Sequence, residues 1–206
     1  MQCEIRIRIA TLKDAKCLSE IYAPYVKETA ISFEYEVPSP EEFQRRIEKI
    51  QKHYPYLVAE CDGEIAGYAY VSAFHERAAY AWCAETSIYI EKRYRKMGIG
   101  RKLYDALESI CREMGILNLY ACIAYPETED EYLTKNSVKF HEHLGYRLIG
   151  EFRQCGYKFD RWYNMVWMEK MIGVHGKDQM PVRKLEEILA FSGEEKRGSG
   201  SGKMVL

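Results

Sequence analysis

The chain of 206 residues lacks several things, and each lack closes off a class of function. It has no run of about 18 apolar residues, so no segment reads as a membrane-crossing helix. The opening Met1-Gln2-Cys3-Glu4, followed by isoleucines alternating with arginines, contains no apolar stretch of the kind a secretory leader carries. A cytoplasmic protein that does not engage membranes is expected. An excess of one charge is also missing: 30 Lys and Arg against 31 Asp and Glu leave a formal charge of -1. With no broad cationic field, nucleic acid is not an expected partner. Of the 7 cysteines no two form a C-x-x-C pair, and their wide scatter and odd number argue against a zinc cluster or a disulfide framework. They are expected to be small buried apolar side chains. The 47% apolar content is enough for a real core, and at roughly 150 residues per domain the length suits one domain with an appendage.

What is present reads as alternating strands and helices. Ile5, Ile7 and Ile9 have the period of two of a half-buried strand, and Thr11 caps a helical stripe of Ala15, Leu18, Ile21, Tyr22 and Tyr25. Ser39, Pro40 and Glu42 are the N-cap, first-turn proline and capping-box acid of a second helix, whose apolar face is Phe43, Ile47 and Ile50. Asp62-Gly63 joins two strand-like runs as a tight hairpin. Tyr80 to Glu91 is a third such run, and Leu103, Leu107, Ile110 and Met114 mark a helix stopped by Gly115. A strand from Leu117 to Tyr125, a short helix from Ser137 to Leu144, and two strands from Tyr146 to Cys155 and Trp162 to Met171 complete the order β-α-α-β-β-β-α-β-α-β-β. Residues 1–172 are expected to be the domain. Residues 173–206 are expected to be an extension with one amphipathic turn around Leu185, Ile188 and Leu189 and a flexible Gly/Ser-rich end.

The segment richest in chemistry is Arg95-Lys96-Met97-Gly98-Ile99-Gly100-Arg101, set where a strand hands over to a helix. Two glycines leave the backbone uncovered, so the amides of Gly98, Gly100 and Arg101 can face an anion with the positive end of the helix dipole behind them. Arg95, Lys96 and Arg101 add charge at the same rim. The plainer alternative is a glycine-containing turn with solvated basic side chains.

Arg-x-x-Gly-x-Gly between strand and helix resembles the acetyl-coenzyme A motif of the GNAT acetyltransferase superfamily. Two further stretches narrow the resemblance to its phosphinothricin and methionine sulfone N-acetyltransferases: Ala79-Tyr80-Ala81-Trp82-Cys83-Ala84-Glu85-Thr86-Ser87-Ile88-Tyr89-Ile90 and Ser137-Val138-Lys139-Phe140-His141-Glu142-His143-Leu144-Gly145-Tyr146. The likeness spans about residues 5 to 171. It implies an α/β (α+β) fold with a mixed central sheet flanked by helices, a homodimer, and transfer of an acetyl group from acetyl-CoA to the amine of a small amino-acid-like acceptor; no sequence feature demands a metal, and none is expected. By the same resemblance, Ile88, Tyr89, Ile90 and the whole turn Arg95, Lys96, Met97, Gly98, Ile99, Gly100 and Arg101 hold the acetyl-CoA, together with Asn136 and Phe140. Phe33, Arg77 and Tyr80 line the acceptor, Arg77 as a clamp on a carboxylate.

Physical chemistry singles out Glu85 separately. An ammonium ion cannot attack a thioester until a proton leaves, so a base is needed beside the acyl carbon. Glu85 lies among Trp82, Ile88 and Tyr89, where burial would raise a carboxylate's pKa toward a useful range. The resemblance assigns it that role; a structural carboxylate paired with an arginine is the alternative. His141 is the second catalytic candidate, in support of proton transfer, and His143 faces elsewhere. Two other functions stay open: acetylation of a protein or peptide amine, and a CoA-binding sensor without catalysis.

Overall fold

The computed structural model describes residues 3–189. The alternating isoleucines form the edge strand β1 (Ile5–Ile9), with Ile7 buried and Arg8 on the opposite face, bound to Asp14 at 2.8 Å and Glu60 at 2.6 Å. Thr11 does not begin a continuous helix. Its N–H donates to Asp14 Oδ2 at 2.7 Å, tightening Leu12–Asp14 into a 3-10 turn before α1 (Ala15–Lys27) starts. In α2 (Pro40–Gln51) the Ser39 hydroxyl accepts from the Glu42 N–H at 3.2 Å, as the capping pattern requires.

Strands β2 (Tyr56–Cys61) and β3 (Glu64–Ala73) meet at Asp62 and Gly63, both at positive φ (51° and 87°), the backbone of a tight hairpin turn. The next strand, β4 (Cys83–Ile90), begins later than its aromatic composition suggests, because Ala78–Tyr80 coil into a 3-10 turn. There follow α3 (Ile99–Met114), β5 (Asn118–Tyr125), α4 (Asn136–His143), β6 (Arg147–Lys158) and β7 (Arg161–Met171). Among the described residues seven strands make one sheet in the order β1-β2-β3-β4-β5-β7-β6, in which β4 and β5 are the one parallel pair. A mixed sheet with helices on both faces is the expected fold class. On one face α1 and α2 bring Leu18, Tyr22, Phe43 and Ile47 against Tyr56, Val58 and Tyr68. On the other, Leu103 and Leu107 of α3 and Val138 of α4 pack with Leu57, Ala69 and Leu119.

Two expectations need correction. Cys3 and Cys61 are joined by a disulfide. Their separation of 58 residues conceals this in the sequence, but antiparallel pairing of β1 with β2 sets Ile5 opposite Cys61 and carries Cys3 alongside. The remaining cysteines in the described residues are free, and Cys122 and Cys155 are exposed rather than buried. Second, the chain beyond residue 172 is part of the packed body as far as it is described. Trp82 donates its indole N–H to the Met180 carbonyl at 2.8 Å, the Arg183 N–H bonds the Met114 carbonyl at 2.8 Å, and Leu185 and Ile188 enter the core. Residues 190–206, where the flexible Gly/Ser-rich end was expected, lie outside the described residues.

Candidate active site

The site arises from a defect in the sheet. β4 and β5 pair only from Cys83 opposite Asn118 to Glu85 opposite Tyr120, and beyond that point no strand among the described residues lies along the edge of β4. Side chains along β4 then divide by parity. Glu85, Ser87 and Tyr89 face the side covered by α1 and α2, and Thr86 and Ile88 face α3. Two cavities meet at this gap, with Ile31, Ser87, Tyr89, Cys122 and Ala124 in the walls of both.

The larger cavity, about 630 Å³, holds the carboxylate of Glu85 beside Ser72 and below Phe33 on the loop between α1 and α2. Burial raises the Glu85 pKa above its ordinary 4.5, and no cation or hydrogen-bond donor pairs with it among the described residues. That removes the reading of Glu85 as half of a structural ion pair. A carboxylate in this state is a stronger base than one in water and has a free lone pair to use.

The smaller cavity, about 70 Å³, lies on the α3 side and contains His141. Only 3% of this residue is exposed. Nδ1 is 2.7 Å from the Ser137 carbonyl, which can only accept, so Nδ1 carries the proton and Nε2 accepts from the Tyr104 hydroxyl at 2.8 Å. Burial lowers the imidazole pKa from its ordinary 6.5 to about 4, so it is neutral near pH 7. The Tyr104 oxygen also lies 3.2 Å from the Thr86 hydroxyl, which donates to the Tyr120 carbonyl at 3.0 Å. Thus Thr86 occupies the carbonyl left unpaired where the strands part. His143, as expected, turns away, with its Nδ1 2.6 Å from the Lys139 carbonyl.

At the far end of β4 the glycine-containing turn has the backbone its residues suggest. Gly98 sits in the left-handed region at φ 81°, open on its Cβ side, and Lys96 shares that conformation at φ 63°. The first intrahelical bond of α3 runs from the Lys102 N–H to the Gly98 carbonyl at 3.2 Å, which leaves the N–H groups of Ile99, Gly100 and Arg101 at the open end of the helix. Met97 and Lys96 are exposed, whereas the Ile99 side chain is buried, so Ile99 offers the rim only its amide. Gly100 is small for a reason the motif does not show. A Cβ there would meet Phe140 Cζ at 2.9 Å, so the glycine lets α4 close on α3. The Arg95 guanidinium lies over the Tyr25 ring at 5.0 Å, and Arg101 donates to the His143 carbonyl at 3.1 Å, away from the turn.

The backbone between turn and gap is also prepared. Glu91 N–H bonds the Ala66 carbonyl, so by alternation Ile90 and Ile88 point their polar groups away from β3. One hydroxyl, that of Tyr25, accepts from the Ile90 N–H at 2.9 Å and donates to the Ile90 carbonyl at 2.6 Å. Ile88 has no such cap among the described residues, and its N–H and carbonyl face the gap. Tyr25, Tyr104 and Thr86 are the members of the site that sequence reasoning missed. The two tyrosines sit in apolar helical stripes, and the only sign of a polar role is that a buried tyrosine hydroxyl requires a partner.

Three expected residues are not brought to the cavities. Asn136 is exposed at the first turn of α4, its N–H 3.5 Å from the Thr134 hydroxyl. Arg77 and Tyr80 lie on the exposed segment after β3. There Phe74 stacks on Tyr120 of β5 at 4.3 Å and Tyr80 packs edge-on against Phe74 and His75, and neither Arg77 nor Tyr80 lines either cavity.

Residues 7–167 match the family model of the acetyltransferase (GNAT) domain. A phosphinothricin N-acetyltransferase of Streptomyces viridochromogenes is 31% identical over 184 residues, 89% of this chain and 96% of that protein. An L-methionine sulfoximine/L-methionine sulfone acetyltransferase of Salmonella typhimurium is 27% identical over 170 residues, 82% and 95% of the two chains. Among solved structures, a GNAT superfamily phosphinothricin acetyltransferase from Sinorhizobium meliloti in complex with AcCoA superposes with a TM-score of 0.77 at 31% identity, covering 89% of this chain and 95% of that one. With the parted strands and glycine turn in place, the chain belongs to the GNAT acetyltransferase family.

Proposed function

We propose that the protein transfers the acetyl group of acetyl-CoA to the amine of a small amino-acid-like acceptor of the phosphinothricin or methionine sulfone/sulfoximine type. The observation that carries this reading is Glu85, unpaired and made more basic by burial, at the point where β4 and β5 separate. Acetyl-CoA supplies an activated acetyl thioester. The residues present suit it: free amides of Ile99, Gly100 and Arg101 with Lys96 for the pyrophosphate, and the uncapped polar groups of Ile88 for the amides of the pantetheine arm. Glu85 accepts the proton of the acceptor ammonium, directly or through water, the freed amine forms a C–N bond at the thioester carbon as the C–S bond breaks, and the second amine proton passes to the departing sulfur, which leaves as the thiol of coenzyme A. His141, neutral and bonded at both nitrogens, orients Tyr104 and Thr86 at the gap rather than taking that proton. Phe33 walls the acceptor.

Assembly as a homodimer belongs to the same reading. Leu148, Phe152, Trp162 and Met171, on β6 and β7, are each more than half exposed, an apolar surface that a second copy would cover. Among the described residues no helix is long and apolar enough to cross a membrane, and the supply of acetyl-CoA inside the cell is the ground for a cytoplasmic location. The function is tested by thiol release from acetyl-CoA across a panel of free amino acids, phosphinothricin, methionine sulfone and short peptides. Turnover with the small amines is expected. Turnover confined to peptides, or acetyl-CoA binding without turnover with any amine, would overturn it.

A further inference from the structure

Phe33 shares the wall of the larger cavity with Glu85, and its ring rests on a residue that takes no part in that wall. The residue is Gly156 of β6. A Cβ built on Gly156 would stand 2.2 Å from Phe33 Cε2, 2.3 Å from Cζ and 2.8 Å from Cδ2, and no other glycine among the described residues is approached so closely. Carbon atoms rest about 3.5–4.0 Å apart, so any side chain at position 156 requires the ring to move by more than about 1 Å. The backbone does not call for glycine here: Gly156 pairs with Tyr163 of β7 and its φ lies outside the left-handed region. What the glycine supplies is the missing Cβ.

Neither side of this contact is free to retreat. On the loop, the Ser32 carbonyl accepts from the buried Lys158 ammonium at 2.6 Å, and the Ser32 hydroxyl lies 2.6 Å from that of Tyr22. Beyond Phe33, the Tyr35 hydroxyl donates to the Tyr157 carbonyl. On the strand side, Tyr163 is buried and donates its hydroxyl to Asp130 at 2.9 Å. With loop and hairpin fastened to each other around the ring, a side chain at 156 is accommodated by turning the ring, and the cavity wall turns with it.

Resting on the acetyl-transfer reading above, we infer that Gly156 is a positioning residue for the acceptor: its bare backbone is the seat of the Phe33 ring and so sets the wall against which the small amine is held near Glu85. The acetyl-CoA side of the site, at the start of α3 and along β4, is outside its reach.

The test uses the full chain, with steady-state kinetics on methionine sulfone or phosphinothricin, whichever the wild type turns over faster, each substrate varied in turn, and with thermal melting. Gly156→Ala is expected to lower kcat/KM for the acceptor by about 10- to 100-fold, through KM, and to leave the acetyl-CoA KM within about twofold. Phe33→Leu deletes Cε2 and Cζ, the two ring atoms nearest the new methyl group. Alone it should raise the acceptor KM; added to Gly156→Ala it should recover most of the loss, so that the double variant outperforms Gly156→Ala. An unmoved acceptor KM in Gly156→Ala, an acetyl-CoA KM that rises equally, or a double variant no better than Gly156→Ala overturns the inference, while wild-type turnover keeps the acetyltransferase reading. Should Gly156→Ala not fold by itself, the double variant decides: a folded protein with the acceptor KM of Phe33→Leu upholds the inference, and one that stays unfolded overturns it. A wild type that turns over no small amine overturns the acetyltransferase reading and this inference with it.

Discussion

Acidification should weaken this protein through His141 by a computable amount. An imidazole whose pKa is lowered from 6.5 to about 4 by burial binds its proton later in the folded state than in the unfolded one. Between these two values the unfolded chain holds more protons, so stability falls as pH falls, and the loss is complete near pH 4. At about 1.4 kcal/mol per unit, 2.5 units of separation correspond to on the order of 3 kcal/mol. For a chain of this size, about 2–4 °C of melting temperature per kcal/mol makes that roughly 6–12 °C. Carboxylates also titrate in this range. Asp14, whose burial alone would raise its pKa, is held below the ordinary value by Arg8 and Thr11, and it loses stability on acidification too. The decisive comparison is therefore the wild type against His141→Gln, melted in parallel from pH 7.5 to pH 4. The variant starts less stable because the bonds to Tyr104 and Ser137 are disturbed, and its deficit should shrink by about 3 kcal/mol as the wild type acquires its penalty. Parallel curves over the whole range would mean that His141 titrates alike in both states, and the buried neutral imidazole would be refuted.

Gly100→Val places side-chain carbons where Phe140 Cζ already stands 2.9 Å from a Cβ, so melting should report a loss of about 1–3 kcal/mol and calorimetry at least 10-fold weaker acetyl-CoA binding. Lys158 is 3% exposed and donates to the Ser32 carbonyl at 2.6 Å, tying the loop that carries Phe33 to β6. Lys158→Met should raise the acceptor KM several-fold and leave the acetyl-CoA KM in place, as steady-state kinetics with each substrate varied would show. Ser39→Ala removes the α2 cap and should lower the melting temperature by about 2–4 °C, for a loss of about 1 kcal/mol, with turnover unaltered.

The sequence and the structure agree most closely where local chemistry decides the outcome. The cap at Ser39, the hairpin at Asp62-Gly63 and the glycine stops of α3 are local, and each lies where its residues indicate. The turn from Arg95 to Arg101 is local as well, so its free amides were foreseeable from two glycines between a strand and a helix. What escaped depends on residues distant in the chain. Cys3 meets Cys61 only through strand pairing. Tyr104 looks like one more member of an apolar stripe until α4 brings His141 against it, and Tyr25 until β4 presents the backbone of Ile90. Arg77 and Tyr80 stand close to Glu85 in sequence, yet a 3-10 turn and the stacking of Phe74 on Tyr120 direct them elsewhere. Nothing in the local pattern discloses that direction.

Glu85 is the base in this reaction, and one substitution tests that role most directly. Glu85→Gln keeps the shape and loses the basicity, so turnover on the best acceptor should fall by roughly 10²–10⁴-fold. Acetyl-CoA affinity should hold, because the amides of α3 and the backbone of Ile88 are untouched. The limb of the wild-type pH–rate profile that reports the free carboxylate, displaced upward from 4.5 by burial, should vanish in the variant. Turnover, cofactor affinity and melting temperature measured on one preparation separate chemistry from folding. A stable Gln variant that turns over at near the wild-type rate, with the limb intact, would contradict the account.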